Sequence, residues 1–257
     1  AYGIAVTSTM VITTIIFAVV ARNRWRWSAP WVAVVVAFFL VVDLAFFGAN
    51  IVKIPQGGWF PILAALIIFT VMTTWKRGSW LVVTRERNLE LTLPRLMERV
   101  TEEGTVRAPG DAVFLSANRE GAPAALLANL KYNHVLHERV LLLNVQFEEV
   151  PYIARSQRIE VEHLGHEIYR ATFRYGFMEE ANVPRTLERV TLPGKEFEPQ
   201  NVPFFVNRTK VTASDQPGMA PWREQLYTFM RRNAASAADF FCLPPARVFE
   251  IGTTIEM

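Results

Sequence analysis

The chain has 257 residues, of which 51% are apolar and 20% charged, and its net charge is +3. Residues 1–80 hold six Lys or Arg against one acid, Asp43, and the remainder is slightly acidic, so the basic excess belongs to loops beside apolar runs and argues against a nucleic-acid surface. The single cysteine, Cys242 in DFFCLPP, excludes an internal disulfide framework and agrees with a reducing compartment.

Three long apolar runs fill the first 80 residues. Residues 1–21 (AYGIAVTSTMVITTIIFAVVA) carry no charge, residues 29–49 (APWVAVVVAFFLVVDLAFFGA) carry only Asp43, and residues 59–75 (WFPILAALIIFTVMTTW) carry none. At 1.5 Å per residue even the shortest reaches roughly 25 Å, the low end of a bilayer crossing. Trp25, Trp27, Trp31, Trp59, Trp75 and Trp80 fall at or near the run ends, where an amphipathic ring sits among headgroups. Three membrane-spanning helices are expected, against the alternative of a soluble helical core.

Loop charge sets the orientation. The first connection, RNRWRWS, has three arginines, the second, NIVKIPQGG, has only Lys53, and the third run is followed by Lys76, Arg77, Arg85 and Arg87. Positive loops stay in the cytoplasm, so the chain is expected to start outside and finish inside. Such a first helix, with no basic n-region or cleavage site ahead of it, is expected of the carboxyl-terminal part of a longer polytopic protein whose earlier spans precede Ala1.

Within the spans Asp43 is the leading candidate. A carboxylate inside an apolar helix costs about 3 kcal/mol on insertion scales unless it faces protein or water, and such groups often bind cations or relay protons. The competing reading is structural: a bond to a neighbouring helix, a reach toward the outer interface, or a pair with Lys53. Tyr2, Thr7, Ser8 and Thr9 place hydroxyls on the first helix, where Gly3 permits close approach; they either line a path or hold helices together. Gly57, Gly58 and Pro61 are expected to form the turn and the first turn of the last span.

Residues 81–108 read as an amphipathic connector and 109–257 as a cytosolic domain long enough for its own core. The connector's helix, 86–103, is interrupted by Pro94. DAVFLSA (111–117) and RVLLLNVQF (139–147) read as buried strands, with a helix over 122–134 between them. RIEVEHL and EIYRATFRYGF alternate as a half-exposed hairpin about Gly165. A helix near 183–190, a strand near 203–211, a helix over 221–235 and a final strand RVFEIGTTIEM complete an α/β (α+β) domain on a mixed sheet. His134 and His137 are expected at a helix end and His163 and His166 beside the hairpin turn, without the ligand set of a metal site. SANREGAP (116–123) joins strand to helix and puts Arg119 near a helix amino end, a place suited to an anion as well as a plain connection.

Several of these stretches resemble the Kup/HAK/KT family of potassium uptake transporters. AYGIAVTSTM, GGWFPILAALIIFTVMTTWKRG, NLKYNHVLHERVLLLNVQFEEVPY, FFVNRTKV and RRNAASAADFFCLPPARVFEIGTTIEM carry the resemblance, in the family's order and from end to end. It implies that the three helices are the last three of twelve spans in an inverted-repeat transporter fold, followed by the family's cytosolic domain. It also implies uptake of K+ coupled to H+ across the bacterial inner membrane, with no other cofactor. The family's main potassium site lies on earlier helices, so this chain alone is not expected to transport. An acidic residue of the family falls at the place of Asp43, which favours cation passage or proton coupling there, with Tyr2 and Thr7 as further path candidates. The cytosolic domain of such proteins is expected to form a homodimer or to bind a cyclic dinucleotide.

No Gly-rich phosphate loop, GxSxG or HExxH motif is present. Two other classes of function are weighed: a membrane-tethered ligand-sensing module that does not transport, for which a buried carboxylate would serve no purpose, and a membrane-bound enzyme, for which no nucleophile and base set is visible. The topology is testable in intact cells. Cysteine at Gln56 is expected to react with an impermeant thiol reagent from outside and cysteine at Ser79 only after permeabilisation; the reverse pattern would invert the orientation.

Overall fold

The computed structural model describes residues 2–52, 54–89, 93–102, 105–119, 121–193, 197–212 and 218–256. Two compact units result, Ala1–Trp75 and Lys76–Met257.

The first unit contains helix α1 (Tyr2–Asn23), helix α2 (Ala29–Ile51), a π-helical turn (Ile54–Gly58) and the start of helix α3 (Trp59–Leu89). All three helices are long and apolar enough to cross a membrane. A hydrogen bond from Arg22 to the Trp27 carbonyl (2.9 Å) closes the turn between α1 and α2, and Phe17, Trp25 and Trp27 cluster there with ring centroids 5.8–6.1 Å apart. Pro30 stands in the first turn of α2, where its missing N–H removes no helical bond. Pro61 has the same place in α3, after Gly57 turns the chain at φ +107°. Lys53, one of the alternative partners weighed for Asp43, lies outside the described residues.

The third apolar run ends at Trp75, but its helix does not. α3 continues to Leu89: KRGSWLVVTRERNL contains no proline, and half of its residues are good helix formers. Over the helix expected at 86–103, the described residues belong to the end of α3 and to helix α4 (Leu93–Glu102). Pro94, the expected interruption, is the second described residue of α4, and residues 90–92 before it lie outside the described residues.

The second unit is built on six strands: β1 (Val106–Ser116), β2 (Val135–Glu148), β3 (Ile159–Gly165), β4 (Ile168–Gly176), β5 (Phe204–Thr212) and β6 (Val248–Glu256). Their order is β3-β4-β2-β1-β5-β6, parallel throughout except for the antiparallel pair β3–β4. Between them lie α5 (Ala124–Ala128) with a π-helical turn (Asn129–Asn133), α6 (Val183–Leu187), α7 (Pro221–Arg232) and α8 (Ala237–Phe240).

A parallel sheet needs cover on both faces, and the strand sequences show it. Alternate residues of RVLLLNV divide between two cores. Val140 and Leu142, with Ala112, Phe114 and Ile168, pack on α4 and α5; Leu141 and Leu143, with Val113, Ala171 and Phe173, pack on α6 and the α8 region. A third, smaller core joins Leu81 and Val82 of α3 to Val211 and to Tyr227 of α7. There Gly78 is a forced choice, because a Cβ would fall inside the Tyr227 ring.

The hairpin pairs as expected through a tight turn in which His166 and Glu167 both have positive φ. Only β3 is half-exposed, however; β4 is the second strand of the sheet and is buried on both faces. Its polar positions misled the alternation because ion pairs use them: Arg170 with Glu162, and Arg174 with Glu160 and Glu148. His137 also departs from expectation. It lies within β2, its ring 5.7 Å from that of Phe205, while His134 ends the preceding turn at φ 54°.

Leu93, Leu96 and Val100 of α4 are buried in the α5-side core, and each buried Leu or Val contributes about 1.5–3 kcal/mol. A fragment of residues 93–257 is accordingly expected to unfold in urea several kcal/mol later than a fragment of residues 109–257. Equal stability of the two would show that α4 is dispensable to the sheet.

Candidate functional site

Chemistry-bearing side chains gather at a place in each unit. In the first unit this is Asp43, which is only 5% exposed although it sits in an apolar helix. Thr14 Oγ1 of α1 donates to its Oδ2 at 2.5 Å. α1 and α2 are antiparallel neighbours, and helical Cα–Cβ bonds tilt toward their own N-terminus; the Thr14 side chain therefore leans away from the connecting turn, Asp43 leans toward it, and the two converge. The pair borders an open groove of about 480 Å³ lined also by Ala5, Val6, Thr9, Met10 and Thr13.

The other span candidates lie elsewhere. Thr7 is buried, but its hydroxyl donates to the Gly3 carbonyl (2.9 Å) and approaches that of Ile4 (3.4 Å) in its own helix. Tyr2 is 84% exposed. Gly3 does sit at a close approach, since a Cβ there would come within 2.5 Å of Asn50 Oδ1. Thr14 was missing from the sequence reading. The available signal was a hydroxyl on the helix adjoining the one that carries the carboxylate.

In the second unit a cavity of about 490 Å³ opens at the carboxyl end of β1. The chain leaves β1 toward β2 and β4 on one side and returns to β5 on the other, which makes the β1–β5 junction a topological switch point. The two strands pair only at Val113–Phe204 and Phe114–Phe205 and then separate. Leu115, Leu143, Val145, Val206 and Phe241 give the cavity an apolar floor, and Arg231 is on its lining. One wall is a polar chain. Thr253 Oγ1 donates to Asn207 Oδ1 (3.0 Å), Asn207 Nδ2 to Thr209 Oγ1 (3.2 Å), and Thr209 Oγ1 to a carboxylate oxygen of Glu86. Glu86 belongs to α3, so the helix that begins as an apolar span ends as part of this wall.

Arg119, the expected anion ligand, forms an ion pair with Glu160 of β3 at 2.8 Å, and α5 beside it is only five residues long. At the opposite end of the sheet Arg139 grips Asp111 through two bonds, 2.6 and 2.7 Å, which raises the guanidinium pKa. That end holds a structural clamp.

Residues 109–257 match the sequence model of the K+ potassium transporter C-terminal domain, and residues 1–80 match that of the K+ potassium transporter integral membrane domain. Along its whole length the chain is 47% identical to a probable potassium transport system protein Kup of Myxococcus xanthus and covers 39% of that protein. It is 44% identical to the Kup protein of Erythrobacter litoralis, covering 41%, and 45% identical to a Kup 2 protein of Rhizorhabdus wittichii, covering 40%. The chain thus spans about two fifths of the length of these relatives. No solved structure matches it. Three apolar helices followed by an α/β domain, matched in order by both domain models, place the chain in the K+ potassium transporter (Kup/HAK) family.

Proposed function

We propose that the chain is the carboxyl-terminal part of a potassium uptake transporter that couples K+ to H+ in the plasma membrane, in bacteria the inner membrane. On this reading α1–α3 are the last three spans, residues 81–108 connect them to the cytoplasm, and residues 109–257 are a regulatory or dimerisation domain. The observation that carries it is the ordered match to both domains of the family, together with relatives named as potassium transport system proteins. The main ion site belongs to spans before this chain, and Asp43 assists passage or proton coupling. It is suited to that work because it is buried yet borders an open groove, with the Thr14 hydroxyl held against it. Tyr2 and Thr7 are assigned to the same path with less structural support, the one exposed and the other bonded to its own helix.

A second reading, a tethered sensing module, is favoured by the cavity at the switch point, the usual place for a ligand in an α/β sheet. The two readings are compatible if the domain regulates transport. A cyclic dinucleotide and a second copy of the chain are the partners we propose for it.

Two measurements test the role of Asp43. Rubidium uptake by the full-length protein in liposomes is expected to require an imposed proton gradient and to fall at least about tenfold in Asp43→Asn, the loss of about 1.4 kcal/mol of coupling. Unchanged uptake in the variant would return Asp43 to packing, and no uptake by either protein would favour the sensing module. Thr14→Val is expected to lower the stability of the detergent-solubilised protein by about 1–3 kcal/mol, because it leaves a buried acceptor unsatisfied, whereas Thr14→Ser retains the donor. Equal melting of Thr14→Val and the parent would show that the carboxylate has other donors.

A further inference from the structure

Away from both places, a cavity of about 360 Å³ lies beside the carboxyl end of β4. It contains four arginines, Arg155, Arg158, Arg185 and Arg189, against two acids, Glu179 and Glu180. Arg158 is already committed: it forms an ion pair with Glu179, donates to the Ile153 carbonyl (3.1 Å) and lies over the Tyr175 ring. The other three are exposed and, among the described residues, make no side-chain hydrogen bond or ion pair. Three guanidinium groups lining one hollow offer it forked N–H donors of the kind that match an anion.

The hollow is built around buried anchors. Besides Arg158, the Glu179 carboxylate accepts the Gly176 N–H (2.7 Å) and the Ile153 N–H (3.2 Å), which fixes the segment that carries Arg155. Burial pushes this carboxyl up, but the Gly176, Arg158 and Ile153 donors outweigh it and hold the group below its ordinary range. Gly176 lets the segment approach, since a Cβ there would strike the Pro151 backbone. On the other side the buried Tyr175 hydroxyl bonds Thr186 Oγ1 (2.7 Å) and donates to the Asn182 carbonyl (3.1 Å), while Asn182 Oδ1 accepts the Arg185 N–H (3.0 Å). Arg185 and Arg189, four residues apart, project from this anchored turn toward the same hollow.

We propose that this cavity binds a phosphorylated anion, with Arg155, Arg185 and Arg189 as its ligands and the exposed Tyr152 ring as one wall. Guanidinium forks match phosphoryl oxygens two at a time, and the volume suits a group the size of a mononucleotide or a lipid headgroup. The assignment is independent of the transport reading and uses a different place from the switch-point cavity, where Arg231 is the lone lining arginine.

The test uses the full chain in detergent, titrated calorimetrically with inorganic pyrophosphate and with ADP, and separately examined with phosphatidylglycerol by native mass spectrometry. Saturable binding tighter than about 1 mM is expected. Arg185→Ala should weaken it about tenfold and the Arg185→Ala, Arg189→Ala pair more, since each removes a charge-assisted bond. Arg119→Ala, whose arginine is paired with Glu160, should leave it unchanged. Binding of pyrophosphate or ADP weakened by the pocket variants assigns a soluble phosphate ester. Binding of phosphatidylglycerol alone, weakened by the same variants, assigns a headgroup. Binding of neither, or an equal loss in Arg119→Ala, overturns the site.

Discussion

The second unit depends on one constraint: its central strands are apolar on both faces and must be covered on both. Val140 and Leu142 face one way, Leu141 and Leu143 the other, and neither set tolerates water. Cover therefore comes from α4 and α5 on one face and from α6, α8 and the chain between β4 and β5 on the other. Distributing those crossovers to both sides of β1 forces the chain to reverse direction across the sheet. The cavity at the end of β1 is the space left by that reversal.

The first unit answers a different demand. In an apolar helix the backbone satisfies itself, and hydroxyls can join it: Thr7, Thr9, Thr70 and Thr73 each donate to a carbonyl four residues earlier. A carboxylate oxygen accepts, and the N–H groups of a helix interior are already used, so the Asp43 oxygen has no such recourse within α2. It has to take a donor from a neighbouring helix, and Thr14 is that donor. The same chemistry that makes the residue awkward to bury ties α1 and α2 together.

Much of this was readable in the sequence where the signal was local. The three apolar runs, the continuous stretches of β1 and β2, and the hairpin about Gly165 each carry their pattern within a few residues. The continuation of α3 past Trp75 was hidden because polarity, which ended the apolar run, does not end a helix. The burial of β4 was hidden because its arginines find carboxylates across the sheet, and a charged residue in a strand reads as exposed until its partner is known. The short helix α8 left no periodic trace in four residues. Sites fared worse than elements. Asp43 stood out as a lone charge, but Arg119 looked available only because Glu160 lies 41 residues away, and the switch-point cavity draws its walls from four strands and four helices.

Gly176 has no side chain to take part in binding, yet its hydrogen atom limits how this sequence can drift. With Pro151 against it, any other residue would displace the segment that presents Arg155, although the arginine itself would be untouched. Variation at the three arginines alters charge one position at a time and can be compensated nearby. Variation at 176 moves the whole segment that carries Arg155 at once, so in a population of related sequences it is the glycine whose loss should be hardest to reverse.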